Sequence, residues 1–156
     1  EDTLQQGVEM NHLKILNFLK LIVNCYQDSS GDVPGKYKVG AARPKLIFQP
    51  IHSLISADLS TITNVMDTMQ KEIWLALQSG SVAVHCLAGV HRAPTVVCCH
   101  YLYRYYVLRH RHLCNDVDAI YDRLRQLRPG VEPLSYMLLA RQYKDYLVAK
   151  HEDPRR

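Results

Sequence analysis

Ser81-Val82-Ala83-Val84-His85-Cys86-Leu87-Ala88-Gly89-Val90-His91-Arg92-Ala93-Pro94-Thr95 is the stretch on which the fold turns. Val82 to His85 shows no polar alternation, the pattern of a central strand covered on both faces. Pro94 fits the first turn of a helix, where its missing N–H costs nothing, so a helix is expected from about Ala93. Between strand and helix, Cys86 and Arg92 frame five residues, with Ala88 and Gly89 among them. Such a loop can set a thiolate beneath a ring of backbone N–H groups, with a guanidinium closing the ring. That arrangement is a phosphate cradle with a nucleophile at its floor.

Working outward, the helix after the loop runs to about Leu108. Val96, Val97, Tyr101, Leu102, Tyr105 and Leu108 make it apolar nearly all round, which marks it as central and buried. Tyr101, Tyr103, Tyr105 and Tyr106 read as packing residues. Upstream, Leu21 to Cys25 and Leu46 to Phe48 read as strands. Gly7 to Phe18 reads as an amphipathic helix, and Asp28 to Pro44 as a loop with turn signals at Ser29-Ser30-Gly31-Asp32 and Pro34-Gly35. His52 to Ala57 reads as a loop. Asp58 or Ser60 can cap the helix that follows through Val65, Met69, Ile73, Trp74 and Leu77, and Gly80 ends it. Two more helices are expected, Asp116 to Leu127 and Leu134 to Lys150. Alternating strands and helices imply an α/β fold: a mainly parallel twisted sheet flanked by helices. The 156 residues read as a single domain, 1–156.

Apolar residues make up 47% of the chain, which excludes a disordered chain. No apolar stretch approaches the roughly 20 residues that span a bilayer, so no membrane span is expected. A net charge of +4 is too weak to argue for nucleic acid. The five cysteines (Cys25, Cys86, Cys98, Cys99 and Cys114) show no framework spacing, which points to a reducing compartment, cytoplasm or nucleus. No C-x-x-C pair exists, and Cys98 and Cys99 diverge by about 100° on a helix, so no metal is expected.

An ordinary thiol is mostly protonated at neutral pH. At a helix N-terminus beside an arginine its pKa falls by several units, and Cys86 meets both conditions. The same dipole end and N–H groups bind a phosphate dianion. Arg92 can grip two phosphate oxygens in a fork, and Gly89 allows the angles that turn N–H groups inward. A thiolate held against phosphate attacks phosphorus in line, and water then releases the cysteinyl-phosphate.

The loop from His85 to Thr95 resembles the signature loop of the cysteine-dependent protein tyrosine phosphatases, and specifically their dual-specificity branch. Leu21 to Asn24 resembles that family's first core strand. Pro50-Ile51 with Ala57-Asp58-Leu59 resembles its acid-loop region. Arg128-Pro129-Gly130-Val131-Glu132-Pro133 resembles the turn before its last helix. The likeness runs from about Leu13 to Leu147, with the family's opening strand missing before Glu1. It implies phosphomonoester hydrolysis on phosphotyrosine, phosphoserine and phosphothreonine proteins, with phospholipids and other phosphomonoesters as alternative substrates. It implies no cofactor. Cys86 would be the nucleophile, Arg92 the phosphate clamp, and the N–H groups of Leu87, Ala88, Gly89, Val90, His91 and Arg92 the cradle. His85 would order the loop and tune the thiolate. The sequence leaves the oligomeric state open.

Two positions depart from the pattern. After the loop arginine the family carries a serine or threonine whose hydroxyl eases breakdown of the phosphoenzyme. Here it is Ala93, as in the phosphatases of regenerating liver, which implies a slow second step. A helix turns Thr95 about 200° away from position 93. Counting from Pro50, the family's acidic aspartate falls on Ser53, a poor acid. Asp58, the Asp28 and Asp32 loop and His52 remain as alternative acids, and Asp58 also suits a helix cap. Two functions therefore stand: a slow phosphatase, or a pseudophosphatase that binds phosphate as an adaptor. Cys25 is a candidate redox partner of Cys86, although it follows Asn24 directly, and one residue along a strand reverses the face. Arg104, Arg109, His110, Arg111 and His112 form a basic cluster, read either as cations at a helix C-terminus or as a docking surface.

Overall fold

The structure, a computed structural model, describes residues 19–26 and 44–152. The expected helix over 7–18, most of the loop before Pro44, and Asp28 and Asp32 lie outside the described residues. The elements in chain order are β1 (Leu19–Asn24), β2 (Lys45–Phe48), a 3₁₀ turn (Ile51–Ser56), α1 (Leu59–Leu77), β3 (Ser81–His85), α2 (Arg92–Tyr106), α3 (Val117–Leu127) and α4 (Tyr136–His151).

The described strands form one parallel sheet in the order β2-β1-β3. Among the described strands, β1 lies between β2 and β3 and pairs with both. In β1, Leu21, Ile22, Val23 and Asn24 are all buried, whereas β3 is only half-buried after an exposed Ser81. The register sets Asn24 opposite both Phe48 and His85, so the three strands end together. Beyond that shared end, the Cys25 N–H donates to the His85 carbonyl (2.8 Å) and the Gln49 N–H to the Asn24 carbonyl (2.9 Å). The crevice past the carboxyl ends of parallel strands is where open α/β sheets bind ligands.

The helices follow from their apolar spacing. α1 buries Ile62, Met66, Met69 and Ile73 along one stripe. Its C-terminal turn closes with the Ser79 and Gly80 N–H groups on the Ala76 carbonyl, both at 3.1 Å. α2 packs against β3 and the other three helices and buries Val96, Cys98, Cys99, Leu102 and Tyr106, as its all-round apolar pattern requires. It stops at Tyr106, two residues before the expected end. Arg109 adopts a left-handed φ of 60°, and the chain leaves the helix axis there. Likewise α4 starts at Tyr136 and not at Leu134, whose φ of 48° is incompatible with a right-handed helix. The segment read as a loop after Pro50 is a 3₁₀ turn. Its three-residue repeat brings Ile51 and Leu54 onto one face, and both are buried.

Asp67 of α1 ties that helix to α4, accepting from the Tyr143 hydroxyl (2.8 Å), the Tyr146 hydroxyl (2.7 Å) and Lys150 (3.0 Å). No helix among the described residues is long and apolar enough to cross a membrane.

Candidate active site

Cys86 is the first residue past β3, at the sheet's carboxyl edge, and is only 7% exposed. Burial alone would raise its pKa. The backbone N–H groups of Ala93, Gly89, His91 and Arg92 all reach its sulfur, and together they outweigh burial and leave the thiol below its ordinary value. A hydrogen bond to the charged form favours that form, so these N–H groups favour the thiolate. Gly89 sits in the left-handed region (φ 69°), which turns the backbone inward. An opening of about 350 Å³ reaches Cys86 between Leu87, Gly89, Pro94, Leu127 and Arg128.

His85 ends β3 with its imidazole held below the ordinary pKa by burial, against an opposing bond with the Cys86 backbone. The neutral imidazole is thereby favoured. The His91 ring is tied through Nδ1 to the Glu132 carbonyl. The Arg92 guanidinium lies over the Tyr26 ring, 5.1 Å from its centroid. Asn24 supports that platform, its Oδ1 accepting the Tyr26 N–H at 2.9 Å. Cys25 is fully buried, and its thiol is pushed up to about 12, first by burial and then by the neighbouring Cys86 charge, with Arg92 opposing.

The side chains weighed as the acid or as a hydroxyl donor are each engaged elsewhere. Ser53 donates its hydroxyl to the Pro50 carbonyl at 2.7 Å. Asp58 is the N-cap of α1, accepting the Thr61 N–H (2.8 Å) and hydroxyl (2.9 Å), and these bonds lower its pKa. His52 shares a 3.0 Å hydrogen bond with the Tyr136 hydroxyl. The Thr95 hydroxyl bonds the His91 carbonyl and the Tyr121 hydroxyl, both at 2.9 Å, and so is committed away from the sulfur.

The basic cluster is largely spent on the fold. Arg111 pairs with Glu152 and stacks on Tyr105, Arg104 lies over Trp74, and Arg109 donates to the His151 carbonyl. Among the described residues, no group of three or more His, Cys, Asp or Glu side chains is arranged to hold a metal ion.

Three site features escaped sequence reasoning: Tyr26 beneath Arg92, Arg128 against Gly89, and the Glu132 backbone against Val90 and His91. The Arg128-Pro129-Gly130 turn was visible as a motif. Its contact with a loop some 40 residues away was not.

Comparison with known proteins gives a family and a fold. The family model described as protein-tyrosine phosphatase matches residues 52–138. No curated protein matches the chain significantly. Among solved structures, the fold resembles a mouse putative dual specificity phosphatase complexed with zinc tungstate (21% identity, TM-score 0.60, covering 93% of this chain and 81% of that one). It also resembles human DUSP28 (18%, 0.57, 85% and 82%). A third likeness is to the human tyrosine phosphatase-like serine/threonine/tyrosine-interacting protein (14%, 0.61, 88% and 85%). The small parallel sheet flanked by helices is thus the dual-specificity phosphatase fold. With more than half its length matched by the family model and a Cys86-to-Arg92 loop at the sheet's carboxyl edge, the chain belongs to the protein-tyrosine phosphatase family.

Proposed function

We propose that this protein hydrolyses phosphomonoesters on phosphorylated proteins through a cysteinyl-phosphate on Cys86. One observation carries the reading: four backbone N–H groups converge on a sulfur whose pKa they hold low, with Arg92 next to them. The Cys86 thiolate attacks phosphorus, an S–P bond forms, and the P–O bond to the leaving group breaks. Arg92 and the loop N–H groups hold the non-bridging oxygens as charge develops. Water then attacks phosphorus, the S–P bond breaks, and phosphate leaves with the thiolate restored.

The acid step sets the substrate preference. Ser53 is not an acid, and Asp58 is an exposed, doubly bonded carboxylate that stays ionised at neutral pH. Phosphotyrosine, whose oxygen can leave as phenolate, is then the favoured substrate over phosphoserine and phosphothreonine. An acid contributes typically about 10²- to 10⁴-fold, and alkyl phosphates need it most. The five free thiols support a reducing compartment, cytoplasm or nucleus.

Ala93 and Ser53 favour a second reading, a pseudophosphatase that binds a phosphoprotein without useful turnover. A stopped-flow assay with an aryl phosphate separates the two. The enzyme reading expects a stoichiometric burst and phosphate trapped on Cys86, both abolished in Cys86→Ser. No burst and no turnover, with phosphopeptide binding retained, overturns it in favour of the adaptor.

A further inference from the structure

Three carbonyls of the loop are held from outside. The Ala88 carbonyl accepts from Arg128 Nη2 at 2.6 Å. The Val90 carbonyl accepts the Glu132 N–H at 2.9 Å. The His91 carbonyl accepts the Thr95 hydroxyl at 2.9 Å and the Thr95 N–H at 3.3 Å. Every peptide bond among the described residues is trans. In a planar trans peptide the carbonyl and the following N–H point in opposite directions. A carbonyl fixed outward therefore turns the next residue's N–H inward. The residues that follow the three held carbonyls are Gly89, His91 and Arg92. Their N–H groups are three of the four that reach the Cys86 sulfur.

We propose that Arg128 is a positioning residue for the loop: by gripping the Ala88 carbonyl across the face of Gly89, it aims the Gly89 N–H at the reacting centre. Of the three anchors, Glu132 acts through its main chain and Thr95 belongs to the helix that starts at the loop. Among the described residues, Arg128 is the side chain that reaches a loop carbonyl from a distant turn. It lies so close that a Cβ on Gly89 would come within 2.9 Å of Nη1. Glycine at position 89 meets the left-handed φ of 69° and leaves room for the guanidinium to lie against the loop. The inner ring of donors that faces sulfur or phosphate is held in place by an outer ring, and Arg128 is its side-chain member. Arg128 acts through the loop and takes no part in the chemistry itself. The proposal rests on reading residues 86–92 as the phosphate loop.

The test titrates the thiol, not turnover. The intact protein is alkylated with iodoacetamide across a pH series, and the Cys86 peptide is quantified by mass spectrometry at 0.1 M and 1 M NaCl. In Arg128→Met the midpoint is expected to rise by about 0.5 to 1 unit, a roughly three- to tenfold slower alkylation at a fixed pH below it. Arg128→Gln, whose amide falls short of the Ala88 carbonyl, is expected to move the same way and serves if the first variant does not fold. The rise should persist at 1 M salt, where a bare charge is screened within about 3 Å. A wild-type midpoint in either folded variant overturns the proposal. A rise that disappears at 1 M salt also overturns it, since the guanidinium would then act only through its field. Failure of the phosphatase reading is seen separately, as the missing burst with the wild-type protein.

Discussion

Asp58 and Thr61 close the first turn of α1 between them: one carboxylate oxygen accepts the Thr61 N–H at 2.8 Å, the other the Thr61 hydroxyl at 2.9 Å. Both bonds are stronger to the ionised carboxylate and so lower its pKa. A group held this way adds stability above its unfolded pKa and loses it as pH falls through the lower folded value. At neutrality it is fully charged and has no proton to give. Asp58→Ala should therefore lower the unfolding midpoint and leave turnover of an aryl phosphate unchanged. Asp58→Asn, which keeps one acceptor, should recover most of the loss. Both are read by thermal unfolding beside a kinetic assay. A large fall on alkyl phosphates, spared on good leaving groups, would make Asp58 the acid after all.

Tyr26 sits beneath Arg92, with the guanidinium 5.1 Å from the ring centroid. A cation over an aromatic face is worth about 0.5 to 2 kcal/mol depending on desolvation. The ring also limits the positions the arginine can take before phosphate arrives. Tyr26→Ala should weaken competitive inhibition by inorganic phosphate by about three- to tenfold. Tyr26→Phe keeps the ring and should bind phosphate like the wild type. Equal inhibition constants in the alanine variant would show that the stack does not prepare Arg92.

The sequence exposed the parts of the site that are local and hid those that are not. Cys86, Gly89 and Arg92 lie within seven residues, and a strand, a proline-started helix and two small residues around them leave few other arrangements. Asp58 as a cap was equally readable, because its partner Thr61 is three residues on. Tyr26 under Arg92 and Arg128 against Gly89 join positions separated by dozens of residues, and periodicity says nothing about which distant turn meets which loop. Hydrophobic runs report burial, whereas strand order is fixed by the crossover connections. Helix ends slipped where Arg109 and Leu134 take left-handed angles that neither residue type advertises.

His100 on α2 should make the fold acid-sensitive. Gln70 is fully buried, donates to the Val96 carbonyl at 3.2 Å and accepts from His100 Nδ1 at 3.0 Å. That leaves Nε2 buried without a partner, so a second proton there has no solvation. Burial, reinforced by the Arg104 charge, lowers the His100 pKa from 6.5 to about 4. The unfolded chain then binds a proton that the folded chain refuses. Stability from this group is complete above the unfolded value and is lost as pH falls from 6.5 toward 4. The loss is on the order of 2–3 kcal/mol. Urea unfolding at pH 7.5 and pH 5 should show it, and His100→Asn, which keeps the bond to Gln70 but does not titrate, should show a smaller difference. An identical pH dependence in the two proteins would assign the acid sensitivity to other groups, His85 first among them.

Ala93 stands where a hydroxyl would face the departing sulfur. Its N–H already reaches Cys86, and its side chain is buried, so a serine there would carry its oxygen into the same environment. Thr95 does not substitute, because its hydroxyl is held by the His91 carbonyl and Tyr121. On the proposed route, when water attacks the phosphoenzyme, negative charge returns to sulfur as the S–P bond breaks. A hydroxyl donor to that sulfur strengthens along the reaction, and a hydrogen bond to a charged group contributes about 1.5 to 3 kcal/mol. Ala93→Ser should therefore speed dephosphorylation by at least about tenfold while leaving the burst rate unchanged, because the first step makes no use of that donor. In steady state the fraction of Cys86 carrying phosphate should fall, as counted by acid quench of the reaction with a radiolabelled aryl phosphate. If the variant keeps both the wild-type turnover and the wild-type phosphoenzyme level, release of the sulfur is not what limits this protein.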